Sequence, residues 1–111
     1  MRELTALEQL AQAMAGSDPV AAKTAKRAMA QRVHASAAPG ADKKARAQNV
    51  RDLLTIARAN GPRSVRAHAL YLLGFIGGRT EERALSTLEA DPEVGEDVRM
   101  ARERIRKSGG R

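Results

Sequence analysis

Residues Ser64 to Gly78 read SVRAHALYLLGFIGG, the most apolar stretch of the chain and the one that holds its only Tyr and its only Phe. Fifteen residues are too many for a buried strand, and the stretch lacks β-branched alternation. Paired glycines stop it at Gly77-Gly78. It therefore reads as a helix, apolar nearly all round, and such a helix belongs at the centre of a domain. Counted at 100° per residue, Ala69, Leu70, Leu73 and Ile76 form one broad face. His68, Tyr71 and Phe75 fall within about 60° of one another on a different face, at i, i+3 and i+7. Two readings of that second face follow from the residues. Either the rings are core, covered by neighbours on both sides, or they form a partly exposed stripe that anchors a partner, since aromatic residues are favoured at interface centres.

Working outward, breakers divide the chain into six expected helices and nothing reads as strand. The first covers about Arg2 to Ala15, with Leu4, Leu7, Leu10, Ala11 and Met14 on one face. Asp18-Pro19 opens the second, Asp18 as N-cap and Pro19 in the first turn, and it runs to about His34. Ala35 to Ala41 is a loop, a third helix covers about Asp42 to Ala59, and Asn60-Gly61-Pro62 ends it. After the opening stretch, Thr80 can cap a fifth helix ending near Ala90. Asp91-Pro92 turns the chain into a sixth, ending before Ser108.

Internal similarity organises these helices. Segments opening at Asp18, Arg63 and Asp91 each begin with a turn and then a valine: Val20, Val65 and Val94. After the last two valines, small or aliphatic residues recur at the fourth, seventh and eleventh positions: Ala69, Leu72 and Ile76, then Val98, Ala101 and Ile105. The elements Leu72-Leu73-Gly74, Ile76-Gly77 and Asp91-Pro92-Glu93-Val94, with Asp18-Pro19-Val20 and Val65-Arg66 as further partial copies, resemble the HEAT-like repeats of the phycobilisome-lyase type. Residues 60–106 carry the resemblance best. Tetratricopeptide repeats need a longer interval than the 18 residues from Gly74 to Pro92. Gly95, where the pattern has Arg, and Ala25 and Ala28, where larger aliphatics are typical, depart from it. The resemblance implies an all-α fold: a short right-handed α–α superhelix, or solenoid, of three helical hairpins. These would cover about residues 1–34, 42–77 and 79–107 of a single domain, with 108–111 as a flexible tail. It also implies that the second helix of each hairpin lines the concave side.

Composition sets bounds on what such a fold can do. Of 47 apolar residues 22 are alanine, so the helices pack closely but bury little area each, and modest stability is expected. No Cys is present, which excludes disulfides and thiolate chemistry. The two histidines lie on different helices, no Gly-rich phosphate loop opens a helix, and the acidic clusters Glu81-Glu82 and Glu93/Glu96/Asp97 sit where carboxylates complement a helix start. No enzymatic activity, metal, cofactor or small-molecule substrate is expected. The N-terminus lacks a signal-peptide pattern and no run is long enough to span a bilayer, so a cytoplasmic protein with no membrane partner is expected.

Charge is segregated within the net +7. Residues 19–79 hold 12 Lys/Arg against two acids, whereas 80–97 hold seven acids against one Arg. On the implied concave side the second helices would present Lys23, Lys26, Arg27 and His34, then His68, Tyr71 and Phe75, then Asp97, Met100 and Arg104. That surface suits a protein partner, an acidic or amphipathic segment held by Lys23, Lys26, Arg27, His68, Tyr71, Phe75 and Arg104. An alternative partner is nucleic acid, held by Lys23, Lys26, Arg27, Lys43, Lys44, Arg46, Arg51 and Arg58 through phosphate contacts. No stacking aromatic accompanies Lys43 to Arg58.

Overall fold

The computed structural model describes residues 3–108. The described residues form six α-helices and one 3-10 turn, with no strand among them: α1 Ala6–Met14, α2 Pro19–Ala37, α3 Lys43–Arg58, α4 Arg63–Ile76, α5 Arg79–Ala84, the 3-10 turn Leu85–Leu88, and α6 Gly95–Lys107. None of these helices is long and apolar enough to cross a membrane.

Local chemistry sets the boundaries. α1 starts later than its apolar spacing predicts, because Thr5 caps it: the Glu8 N–H donates to Thr5 Oγ1 and the Thr5 N–H to Glu8 Oε1. Arg2, the expected first residue, lies outside the described residues. Asp18 caps α2 as expected, accepting from the Val20 and Ala21 N–H groups. α2 continues one turn past His34 and stops at Ala38, which is extended because Pro39 follows. Gly40, at φ +81°, turns the chain into α3, which Asp42 caps. α5 corrects two expectations. Its N-cap is Gly78, whose N–H donates to Glu81 Oε1, so Thr80 lies inside the helix. It also ends at Ala84 instead of reaching Ala90, tightening into the 3-10 turn where Ser86 and Thr87 begin. Asp91 then folds the turn into α6, Oδ1 accepting from the Glu93 and Val94 N–H groups.

α4 is the hub, packed most extensively against α3 and α6 and more lightly against α2. Its Ala69, Leu70, Leu72, Leu73 and Ile76 are buried, as are Val98, Ala101 and Ile105 of α6. Contacts give the helix directions. Arg46 reaches the Ile76 carbonyl and Arg66 the Ala57 carbonyl, so α3 and α4 run antiparallel. The Lys26 carbonyl meets His68 and His34 meets Phe75, so α2 and α4 run the same way. Arg63 pairs with Asp97 at one end of α4, and Ile105 lies beside Gly77 at the other, so α6 is parallel as well. The valine equivalence is uneven: Val65 and Val94 are buried, whereas Val20 is 73% exposed in the first turn of α2. Gly95 has a local cause, since a Cβ there would sit 2.6 Å from the Glu89 carbonyl oxygen.

A buried guanidinium ties the last hairpin to the hub. Arg66 donates to the Ala57 carbonyl at 2.9 Å, to Asp91 at 2.8 Å and to Glu93 at 3.0 Å. Arg102, also mostly buried, holds Glu82 and Glu89, and Arg106 adds a second bond to Glu82.

Candidate functional site

Because α2, α4 and α6 run side by side, their outward residues meet on one surface, with α4 at its centre. The i, i+3, i+7 spacing places His68, Tyr71 and Phe75 along it. Their environments differ. His68 is buried, its ring stacked beside Tyr71 at 6.4 Å and its Nε2–H directed at the Lys26 carbonyl at 3.3 Å. Burial lowers its pKa, the Lys26 carbonyl raises it in part, and the Lys26 charge lowers it again, so the ring is neutral at pH 7. Tyr71 is half exposed, and Phe75 is partly buried against the core. Of the two readings open for this face, the covered one does not describe Tyr71.

The rings are nonetheless well held. Tyr71 meets Phe75 edge-on at 5.0 Å, and His34 also meets Phe75 edge-on, at 5.6 Å. The Arg104 guanidinium caps both rings, 5.1 Å from Tyr71 and 4.9 Å from Phe75. Such ring pairs contribute about 0.5–1.5 kcal/mol each beyond area burial, and a cation over a partly wet ring about 1 kcal/mol. Gly74 makes the arrangement possible: a Cβ there would lie 3.2 Å from Arg104 Cδ, so the missing side chain is the bed on which Arg104 lies. A glycine in a helix interior costs about 1 kcal/mol against alanine, and here the close approach of α6 is its reason.

Around this centre lie three grooves. Lys26, Arg63, Ser64, Ala67, His68 and Tyr71 line one of about 430 Å³ between α2 and α4. Lys23 and Arg27 line a second, about 350 Å³, with Pro19, Val20 and Thr24. Met100 and Arg104 lie beside a third on α6, with Glu103 and Lys107. Four large apolar residues are exposed among the described residues, and Tyr71, Met100 and Val20 each border one of these grooves; Leu4 does not. Among the described residues Lys23, Lys26 and Arg27 make no ion pair.

The α3 cations lie elsewhere. Lys43, Arg46 and Arg51 line a groove of about 310 Å³ with Val50, Ile76, Gly78 and Glu81. Arg46 donates to the Ile76 carbonyl and Arg51 to Gln48, whereas Lys43, Lys44 and Arg58 are exposed. A further groove of about 220 Å³ between α1 and the α3–α4 turn is almost wholly apolar, with Leu4, Ala11, Ile56, Pro62 and Val65 in its walls. Among the described residues no three of His, Asp or Glu are grouped to hold a metal ion.

Sequence reasoning did not single out Arg63, Ser64 and Ala67 as part of this surface, nor the role of Gly74. The interior glycine is a signal that could have pointed to a close helix approach; no pattern in the sequence marks the groove. Comparison with protein-family models, with curated proteins and with solved structures finds no match to this chain.

Proposed function

We propose that this chain is a non-enzymatic docking module that holds another protein on the surface shared by α2, α4 and α6. The observation that carries the reading is Tyr71. It is half exposed at the centre of the surface yet ordered by Phe75, Arg104 and the stacked His68 ring. An apolar anchor already fixed in place loses little side-chain entropy when a partner covers it, about 0.5–1.5 kcal/mol less than a mobile one. Lys23, Lys26 and Arg27 supply a cationic rim, and Met100 and Val20 extend the apolar area. The side-by-side run of α2, α4 and α6 is what a short right-handed superhelix of three HEAT-like hairpins would give, and the fold is proposed to be of that kind. α1–α2 is then its atypical first unit.

The double change Tyr71→Ala with Phe75→Ala is expected to abolish capture of the partner in affinity purification while circular dichroism retains the helical signal. Loss of the helical signal would instead return both rings to the core. A second reading, a nucleic-acid-binding module, has in its favour Lys43, Lys44 and Arg58, which are exposed and make no ion pair among the described residues. It requires capture that nuclease treatment removes, and an affinity for mixed-sequence DNA or RNA that falls steeply with salt and with charge removal at Lys43, Lys44 and Arg46.

A further inference from the structure

The contact of the hub with α2 differs from its contact with α6. α6 closes tightly on α4 over Gly74 and Ala101, whereas α2 touches α4 at few places, among them Lys26 with His68 and His34 with Phe75. From the His68 contact toward the start of α4 the surface is open in a groove along Arg63, Ser64 and small Ala67, with Tyr71 and Lys26 also in its lining. From this we infer that the groove receives an acidic amphipathic helix of another protein. Apolar side chains would enter over Ala67 against Tyr71, and carboxylates would lie on Lys26, Lys23 and Arg27. The inference rests on the docking reading above and specifies its partner.

Charge decides the occupant. A second copy of this chain is a poor one, because every acid in residues 80–97 except Glu96 is already engaged. Glu82 and Glu89 hold Arg102, Asp91 and Glu93 hold Arg66, Asp97 holds Arg63, and Glu81 accepts the Gly78 N–H. Docking that stretch on another copy would break these pairs and bring two cationic rims together. Among the described residues Lys23, Lys26 and Arg27 pair with no acid. The groove is walled by helices whose backbone groups are bonded internally, so an extended strand would gain no ladder there. A helix with apolar residues at i, i+3 or i+4, and i+7 would fit. The α4 lining from Arg63 to Tyr71 spans about 12 Å at 1.5 Å per residue, so roughly two to three turns suffice.

The test uses the full chain and three capped helical peptides of about 14 residues. Each has leucine along one face, and the remaining positions are Glu, Gln or Lys. The Glu peptide is expected to shift the amide resonances of Lys26, Ala67, His68 and Tyr71. Its affinity should drop about fivefold in the double variant Lys23→Glu/Lys26→Glu and stay unchanged in Arg83→Glu, which alters charge on α5. Salt should weaken it between about 50 and 300 mM. Ala67→Leu, checked for folding by circular dichroism, should block it by filling the groove. Equal binding of the Gln or Lys peptide on the same residues overturns the acidic partner and leaves the docking reading standing. Shifts confined to α6 or α3, or no shift with any peptide, overturn the groove. If mixed-sequence DNA or RNA alone shifts the α2 and α3 amides, both readings fall.

Discussion

Arg66 shows how much one side chain can decide. Its guanidinium is buried, and its bonds join the end of α3, the start of α4 and the turn before α6. Arg66→Met keeps the volume but strands the Ala57 carbonyl and removes the partner of two carboxylates. We expect a loss of about 2–3 kcal/mol in urea unfolding, below the full value for a buried pair because Asp91 and Glu93 stay partly wet. The acid limb of stability belongs to the same network. The hydrogen bond from Arg66, then those from the Glu93 and Val94 N–H groups, hold the Asp91 carboxyl below its ordinary value. Desolvation pushes Glu82 up, but bonds and charges from Arg102 and Arg106 outweigh it, so Glu82 is also depressed. A depressed carboxyl adds stability that is complete above its unfolded pKa, about 4, and is lost as pH falls through the folded value. His68, lowered by burial, acts with the same sign at a higher pH: the unfolded chain takes up the proton first below about 6.5. The melting temperature should therefore begin to fall below about pH 6.5 and fall again below about pH 4. His68→Gln should remove the first step and Arg66→Met should shrink the second. A wild-type melting temperature flat from pH 7 to 5 would contradict the place given to His68.

At the scale of elements, the legible features are those whose chemistry is local. Asp18-Pro19, Asp42 and Pro39-Gly40 mark boundaries by short-range hydrogen bonding and sterics, and they act where the sequence puts them. Thr5-x-x-Glu8 was equally local, a capping box in plain sequence, yet the apolar spacing that includes Leu4 runs past it. The fate of Leu85 to Leu88 was not local: helical spacing continues there, but the turn must bring Asp91 under Arg66 and pass the Glu89 carbonyl beside Gly95. Gly95→Ala would force that carbonyl aside and should cost about 1–3 kcal/mol in thermal or urea unfolding, despite a better intrinsic helix propensity. Gly74→Ala meets only the flexible Arg104 side chain and the Ala101 Cα at 3.5 Å. Its gain in propensity should offset the crowding to within about 1 kcal/mol. Arg104 should nonetheless leave the rings, seen as changed ring-proton shifts of Tyr71 and Phe75.

For the molecule as a whole, the placement of α4 predicts an order of opening. α4 is packed against α2, α3 and α6, whereas α1 rests on α2 and α3, and α5 on α6 and the 3-10 turn that follows it. Hydrogen exchange should find the α4 amides among the slowest, opening only with global unfolding. Those of α1 and α5 should exchange by smaller openings. Equal protection across α1, α4 and α5 would contradict that order. Leu73→Ala, at a fully buried hub position, should cost about 2–5 kcal/mol and lower the protection of every helix together.

What the sequence by itself determined is the all-helical architecture, the breakers between helices and the buried faces of α4 and α6. The recurrence of Ala69, Leu72 and Ile76 in Val98, Ala101 and Ile105 follows from helical periodicity alone. Tertiary structure alone decided that Val20 is exposed although it follows a turn as Val65 and Val94 do, and that Tyr71 is half open while His68 beside it is closed. It also decided that five of the seven acids of 80–97 are spent on the chain's own arginines while, among the described residues, Lys23, Lys26 and Arg27 make no ion pair. The reason is physical. Caps and periodicity act over a few residues along the chain, whereas exposure and charge pairing depend on what another helix, tens of residues away, places opposite.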